Sequence, residues 1–423
     1  DNYILLPIKK AQELGVKTGD VLKIETGKFS IELPAYVQPG QQVDTVGIAL
    51  GYGRTKAGPV ALPDDEDSEN VKGKNAYPAA SIREGNIQYF AENVKISKVG
   101  KTYPIAVTQI QGTVMARPIV KETTVANYAT YIKAHNEERA VIKQHMVDLY
   151  PERPQTGHKW VMVIDLNLCT GCGACVVACN AENNIPVVGK REIMRGREMH
   201  WIRIDRYYSS SSDNLETPAE NPQVVFQPML CQHCNHAPCE NVCPVLATVH
   251  SSEGLNQQAY NRCFGTRYCA NNCPYKVRRF NWFDYANQDT PIVGLVDSER
   301  RFKYNPVHNL GALVLNPDVT VRARGVMEKC SFCVQRIQLG KLEAKKEGRP
   351  LKDNEDIQTA CQQTCPAGAI MFGDFNDPNS VVHKYFHSER SYQVIEELKT
   401  YPSISYLVKV RNRNTNDEKI KIS

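Results

Sequence analysis

Fifteen cysteines carry the chemistry legible in this 423-residue chain. All lie between Cys169 and Cys365, and they fall into four groups. The first is Cys169, Cys172, Cys175 and Cys179; the second is Cys231, Cys234, Cys239 and Cys243, followed by Pro244. The third is Cys263, Cys269 and Cys273, followed by Pro274; the fourth is Cys330, Cys333, Cys361 and Cys365, followed by Pro366. An odd, tightly spaced set argues against a disulfide framework. Three thiolates a few residues apart can wrap one iron–sulfur cubane, because the backbone curls round it and turns successive amides toward the sulfurs. The fourth thiolate of each run points away, to the other cluster of a pair. A proline directly after it keeps a helix from starting too early.

Four such motifs make two dicluster units. The second and third are neighbours in sequence and form an inner unit; the first and fourth form the outer one. One [4Fe–4S] site then takes Cys169, Cys172, Cys175 and Cys365, and a second takes Cys179, Cys330, Cys333 and Cys361. A third [4Fe–4S] site takes Cys231, Cys234, Cys239 and Cys273. Cys243, Cys263 and Cys269 are left for the fourth, where Thr266 stands at the position of the missing thiol. A hydroxyl is a poor iron ligand at neutral pH, so this site is expected to hold [3Fe–4S], with a higher potential than its neighbours. The alternative at Thr266 is a four-iron cluster completed by water or hydroxide. Structural zinc also uses paired CxxC motifs, but four runs, each with a further ligand and three with a following proline, fit the ferredoxin pattern better.

His233 and His236 lie inside the second motif. They are expected at the surface, with hydrogen bonding to cluster sulfide as the other possibility. Lys276, Arg278 and Arg279 follow Cys273 and could form a solvated basic face, meet an anionic membrane, or stabilise negative clusters. The formal charge of +5 is no argument for nucleic acid, since ligating thiolates and oxidised cores would bring it to about −3.

The positioning elements are less sharply marked. Trp160 to Asp165 reads as a strand feeding the first motif. Residues 1 to about 62 read as β structure, with apolar runs at Val21–Ile24 and Phe29–Leu33 between Gly and Pro turns. Asp64 to Glu69 reads as an acidic linker, Thr123 to about Tyr150 as a helix striped by Val125, Tyr128, Ile132 and Val141, and Ser209–Ser212 as a loop. Ser391 to Lys399 reads as a helix ahead of a basic tail. No apolar run is long enough to span a bilayer. Asp1 falls in what reads as the middle of a domain, so a piece of a longer protein is expected. These readings divide the chain into 1–62, a connecting segment 63–158, a cluster domain 159–375 and a C-terminal extension 376–423.

Residues 159–375 resemble the four-cluster iron–sulfur subunits of the molybdopterin oxidoreductase family. The resemblance rests on Cys273-Pro274-Tyr275, on Glu328-Lys329-Cys330-Ser331-Phe332-Cys333, and on Cys365-Pro366-Ala367-Gly368-Ala369-Ile370. The gap from Cys333 to Cys361 departs from that pattern, and Lys341–Asp356 is expected as a surface loop. Ala11 to Val21 and Gly51-Tyr52-Gly53 resemble the last, β-barrel domain of the large molybdopterin-binding subunit. Both halves in one chain, with Gly112 to Val120 between them, resemble the fused iron–sulfur subunit of bacterial alternative complex III. The resemblance implies an α+β chain: a β-barrel C-terminal piece of a molybdopterin-oxidoreductase-like domain, then a double dicluster-ferredoxin-like iron–sulfur domain with long loops. It implies three [4Fe–4S] clusters, one [3Fe–4S] cluster and no molybdopterin. It further implies an electron-transfer subunit without a catalytic site of its own, at the periplasmic face of the bacterial inner membrane. Its implied partners are a membrane quinol-oxidising subunit of the polysulfide-reductase type, haem c subunits and a terminal oxidase. The alternative is the electron-transfer part of a molybdopterin-dependent reductase of the polysulfide or dimethyl sulfoxide reductase type.

Overall fold

The computed structural model describes residues 1–27, 29–53, 73–109, 117–145, 151, 154–210, 222–283, 315–352, 355–412 and 421–422. Asp64–Glu69, Gly112–Ala116, residues 146–150 at the end of the expected helix, and Ser211–Ser212 lie outside them. The chain divides into two compact units.

The first unit holds residues 1–107. Its sheet runs in the order Gly47–Ile48, Ile4–Leu6, Phe29–Val37, Asp20–Thr26, Lys95–Thr102. Asp20–Thr26 and Phe29–Val37 pair antiparallel, with Ile24 opposite Ile31. Period-two alternation puts Leu22, Ile24, Ile31, Leu33 and Ala35 on one buried face, with Ile4 and Leu6. Both expected apolar runs are strands. Among the described residues these pairings form an open sheet and do not close into a barrel. A helix, Ile8–Glu13, interrupts the stretch read as β structure. Six residues are too few to show helical periodicity, but Pro7 at its start and Gly15 just past its end (φ 59°) mark it.

The second unit is built on a four-stranded sheet ordered Ile370–Asp374, Trp160–Asp165, Ile404–Leu407, Ser391–Tyr392. Trp160–Asp165 is the strand its sequence predicts, and Trp160 through Ile164 are fully buried because both faces are covered. Trp160, Met162 and Ile164 pack with Phe372, Ile404 and Tyr406 in the main core. Val161 and Val163 pack with Leu407 and Val382 on the other face.

Several element readings are corrected. Ser391–Lys399 is not a helix: Ser391 and Tyr392 pair antiparallel with Leu407 and Tyr406, and only Glu396–Leu398 turns as 3-10. Ile395 and Lys399 have φ of 59° and 47°, which ends any α-helix there. The helix expected from Thr123 runs Tyr128–His145, because Glu122–Thr124 pairs parallel with Lys409–Arg411. Val125 and Val141 are exposed, and the buried side of the helix carries Ile132 and His135. Much of the gap after Cys333 is a helix, Val334–Lys346, whose Ile337, Gly340 and Ala344 are buried at i, i+3, i+7 spacing. Ser209 and Ser210 end a strand, Arg203–Ser210, rather than opening a loop.

Candidate iron–sulfur centres

All fifteen cysteines are free thiols in the described structure. Cys169, Cys172, Cys175 and Cys365 line one cavity. Cys231, Cys234, Cys239 and Cys273 line a second. Cys243, Cys263, Cys269 and Thr266 line a third. Cys179, Cys330, Cys333 and Cys361 gather as a fourth buried set, close enough that each of the other three raises the Cys179 thiol. The fold thus assembles thiols from distant parts of the chain. The short helices within the motifs do the joining: Ala174–Glu182 packs on Ala360–Gln363, and Pro238–Asn241 on Tyr268–Asn271.

The backbone repeats with the motifs. The second residue after the first cysteine of each run has positive φ: Gly171 (72°), His233 (46°), Gly265 (81°) and Phe332 (55°). The third residue after each Cys-Pro cysteine does too: Leu246 (52°), Lys276 (53°) and Gly368 (61°). These reversals turn amides inward. Ala247 N–H donates to Cys243 Sγ (3.2 Å), Met327 N–H to Cys263 (3.4 Å), Phe332 N–H to Cys330 (3.4 Å) and Ala369 N–H to Cys365 (3.3 Å). Gly171 and Gly265 are also held by contact. A Cβ on Gly265 would lie 2.2 Å from the Gly325 carbonyl oxygen, and one on Gly171 2.5 Å from the Phe226 ring.

The donor set can be tested against the group it would hold. Burial, then mutual charge, pushes Cys175 up to about 12; burial pushes Cys333 to about 12 and Cys361 to about 11. Such thiols ionise together only around a cationic filling. At Cys243 burial acts the same way, but the amides of Val245, Ala247 and Thr248 outweigh it and bring the thiol below its usual value. Among the described residues no three His, Cys, Asp or Glu side chains converge closely enough for a single metal ion. Thiols set around voids, with amide donors at the sulfurs, fit polynuclear iron–sulfur clusters.

Several flanking residues were hidden or misread in sequence. His233 is fully buried rather than at the surface: its ring stacks on Phe332 at 3.8 Å and Nδ1 accepts from the Asn256 amide at 3.1 Å. Burial and the Lys329 ammonium hold it neutral. Lys329, also buried, donates to the carbonyls of Asn256 and Cys330 (2.8 Å to the latter). Glu328 and Arg322 form a buried ion pair at 2.8 Å, and Arg322 reaches the Asn183 carbonyl at 2.7 Å. Asn183, one helical turn after Cys179, points its amide at Cys179 and Cys333. The basic run after Cys273 splits three ways. Lys276 is exposed, Arg279 pairs with Glu198 at 2.7 Å, and Arg278 is buried against Cys239.

Fold and thiol geometry define a ferredoxin-type dicluster protein, and comparison with known proteins agrees. Residues 168–247 and 222–290 each match a 4Fe-4S dicluster domain. The chain is 40% identical over 253 residues to the menaquinone reductase iron-sulfur cluster-binding subunit of Nitratidesulfovibrio vulgaris, covering 59% of this chain and 88% of that protein. It is 32% identical over 273 residues to the Hdr-like menaquinol oxidoreductase iron-sulfur subunit 1 of Archaeoglobus fulgidus, covering 60% and 86%. It is 31% identical over 289 residues to a selenate reductase subunit from Mesobacillus selenatarsenatis, covering 68% and 85%. The chain belongs to the family of iron–sulfur cluster-binding, electron-transfer subunits of quinol- and molybdoenzyme-type reductase complexes.

Proposed function

We propose that this chain is the electron-transfer subunit of a membrane-associated, quinol-oxidising complex of the alternative complex III type. In this reading the four thiol sets ligate three [4Fe–4S] clusters and one [3Fe–4S] cluster, the last held by Cys243, Cys263 and Cys269 beside Thr266. Bound clusters supply one-electron carriers; the chain's own groups hold them, shield them and set their potentials.

The observation that carries the reading is the surroundings of Thr266. It is exposed at the cavity of Cys243, Cys263 and Cys269, and exposed apolar side chains lie on the same motifs: Leu246 (62%), Phe264 (62%) and Tyr268. Exposed apolar side chains beside a cluster site suit a partner-facing surface. It suits a membrane partner that oxidises menaquinol, since no described helix of this chain is long and apolar enough to cross a bilayer. Electrons would enter there and leave toward haem c and then cytochrome c or an oxidase, at the periplasmic membrane face. Residues 1–62 would be a molybdopterin-oxidoreductase-like piece without cofactor, 63–158 a connector, 159–375 the cluster domain and 376–423 its extension.

The relatives, which include reductase subunits, favour a second reading: the electron-transfer part of a molybdopterin-dependent reductase. Purification in mild detergent with metal and haem counts separates the two. Co-purified haem c without molybdenum or tungsten supports the first reading, and stoichiometric molybdenum or tungsten overturns it.

A further inference from the structure

Arg278 stands between two thiol cavities. Its side chain is only 5% exposed. Nη1 donates to Cys239 Sγ at 3.3 Å, in the wall of the cavity formed with Cys231, Cys234 and Cys273. Nη2 donates to Thr248 Oγ1 at 2.9 Å and to Gln258 Oε1. Thr248 and Gln258 line the other cavity, that of Cys243, Cys263 and Cys269, and are joined by a 3.0 Å hydrogen bond. One planar guanidinium thus touches the walls of both.

Other arginines with little or no exposure are paired differently. Arg279 meets Glu198 at 2.7 Å, Arg203 meets Asp205 at 2.8 Å and Arg322 meets Glu328 at 2.8 Å. Among the described residues Arg278 has no such carboxylate partner. A buried cation without a counter-charge is strongly disfavoured, and what lies against this one is the ligand sulfur of Cys239 on one side and the lining of the Cys243, Cys263 and Cys269 cavity on the other.

We propose that Arg278 is the shared counter-charge of the third and fourth cluster sites and raises the reduction potentials of both. Each cluster gains one negative charge when it takes up an electron, and a buried positive charge beside its sulfurs favours that state. The inference rests on the reading that these sites carry clusters. The second site lies outside this contact: its sulfurs have Asn183 as their side-chain donor.

The test uses the full chain loaded with its clusters. Iron content and the EPR signals of the wild type come first: their absence rejects the functional reading and says nothing against Arg278. Potentiometric titration followed by EPR then compares wild type with Arg278→Gln and Arg278→Lys. Arg278→Gln is expected to lower the midpoints of the third and fourth sites and leave the first and second in place. Arg278→Lys keeps the charge but loses the donor at Cys239, so the third site drops while the fourth stays close to wild type. If Arg278→Gln fails to load, Arg278→Met, which also removes the charge, takes its place. Unmoved third and fourth midpoints, or a common shift of all four, overturn the proposal.

Discussion

Asn183 and Cys333 are 150 residues apart in sequence, yet the Asn183 side-chain amide lies 3.8 Å from Cys333 Sγ. The same nitrogen lies 3.6 Å from Cys179 Sγ and donates to the Cys179 carbonyl at 3.1 Å. The residue is buried, and Gln335 and Arg322 hold it from the other side. It therefore fixes the second site's two halves, one from each outer motif, against each other. Asn183→Leu removes the N–H···S donor without opening a cavity. The second site's midpoint is expected to fall by the worth of about one weak hydrogen bond, roughly 1 kcal/mol or about 40 mV for one electron. Asn183→Asp, which places a carboxylate there, should lower it further. Equal midpoints in wild type and Asn183→Leu would refute the role.

Thr266→Cys tests the fourth site directly. Oxidised wild type is expected to show the EPR signal of a three-iron cluster that disappears on mild reduction. A thiol at 266 completes the set Cys243, Cys263 and Cys269, so the oxidised-state signal should vanish and iron should rise by about one per chain. A three-iron signal that persists in Thr266→Cys, with unchanged iron, contradicts the assignment.

Gly265→Ala should empty the same site by a different route. Its φ of 81° is unfavourable for alanine, and the new Cβ would meet the Gly325 carbonyl oxygen at 2.2 Å. Strain of about 1–3 kcal/mol accrues from the backbone alone, and the carbonyl cannot yield as a side chain would. Iron is expected to fall by one cluster, with the three-iron signal lost and the other sites intact. Full loading of Gly265→Ala would show that the close approach is dispensable.

These residues also show where sequence reading stopped. The grouping of the thiols was legible because ligand spacing is a local constraint, written within each motif. Trp160–Asp165 was legible because a strand covered on both faces must be apolar throughout. Glycine occupies the reversed backbone at Gly171 and Gly265, but His233 and Phe332 adopt it without any sign in residue type. His233 looked like a surface histidine because nothing local says that Phe332, 99 positions on, will stack against it. Arg278 sat in a basic run whose three members have three different fates, decided by partners from other segments. The stretch 391–399 failed for the same reason: its pattern permits a helix, and pairing with Ile404–Leu407 overrides it.

That pairing has its own test. Tyr406 is fully buried in the central sheet, its hydroxyl donating to the Pro228 carbonyl at 2.7 Å. Tyr406→Ala is expected to cost about 3–5 kcal/mol, a fall in melting temperature on the order of 10 °C. Tyr406→Phe keeps the ring but orphans a buried carbonyl, for about 1–3 kcal/mol. Thermal melts followed by circular dichroism would show it, and a Tyr406→Ala melt within about 2 °C of wild type would mean that residues 404–407 are not part of the cooperative core.

His135 sets a pH dependence that the clusters do not. It is buried on the helix Tyr128–His145, and its Nδ1 accepts from Lys121 Nζ at 3.1 Å. Glu138 meets the same ammonium at 3.3 Å, and Arg139 and Glu396 complete the charges nearby. Burial first, then the charges of Lys121 and Arg139, brings His135 down from 6.5 to about 4. The unfolded chain therefore binds this proton near pH 6.5 and the folded chain only near pH 4. Between those values the unfolded state carries more protons, so stability falls as pH falls. The contribution is complete above pH 6.5 and drains away toward pH 4. His135→Gln can still accept from Lys121 through its amide oxygen but has nothing to titrate. Its melting temperature is expected to sit at or below wild type at pH 7.5 and to gain on wild type steadily down to pH 5. Acid loss of iron acts on both proteins and cancels in the difference. Two melting curves that run parallel across this range would mean that the proton is bound equally well in both states, and that Lys121 does not hold the imidazole neutral.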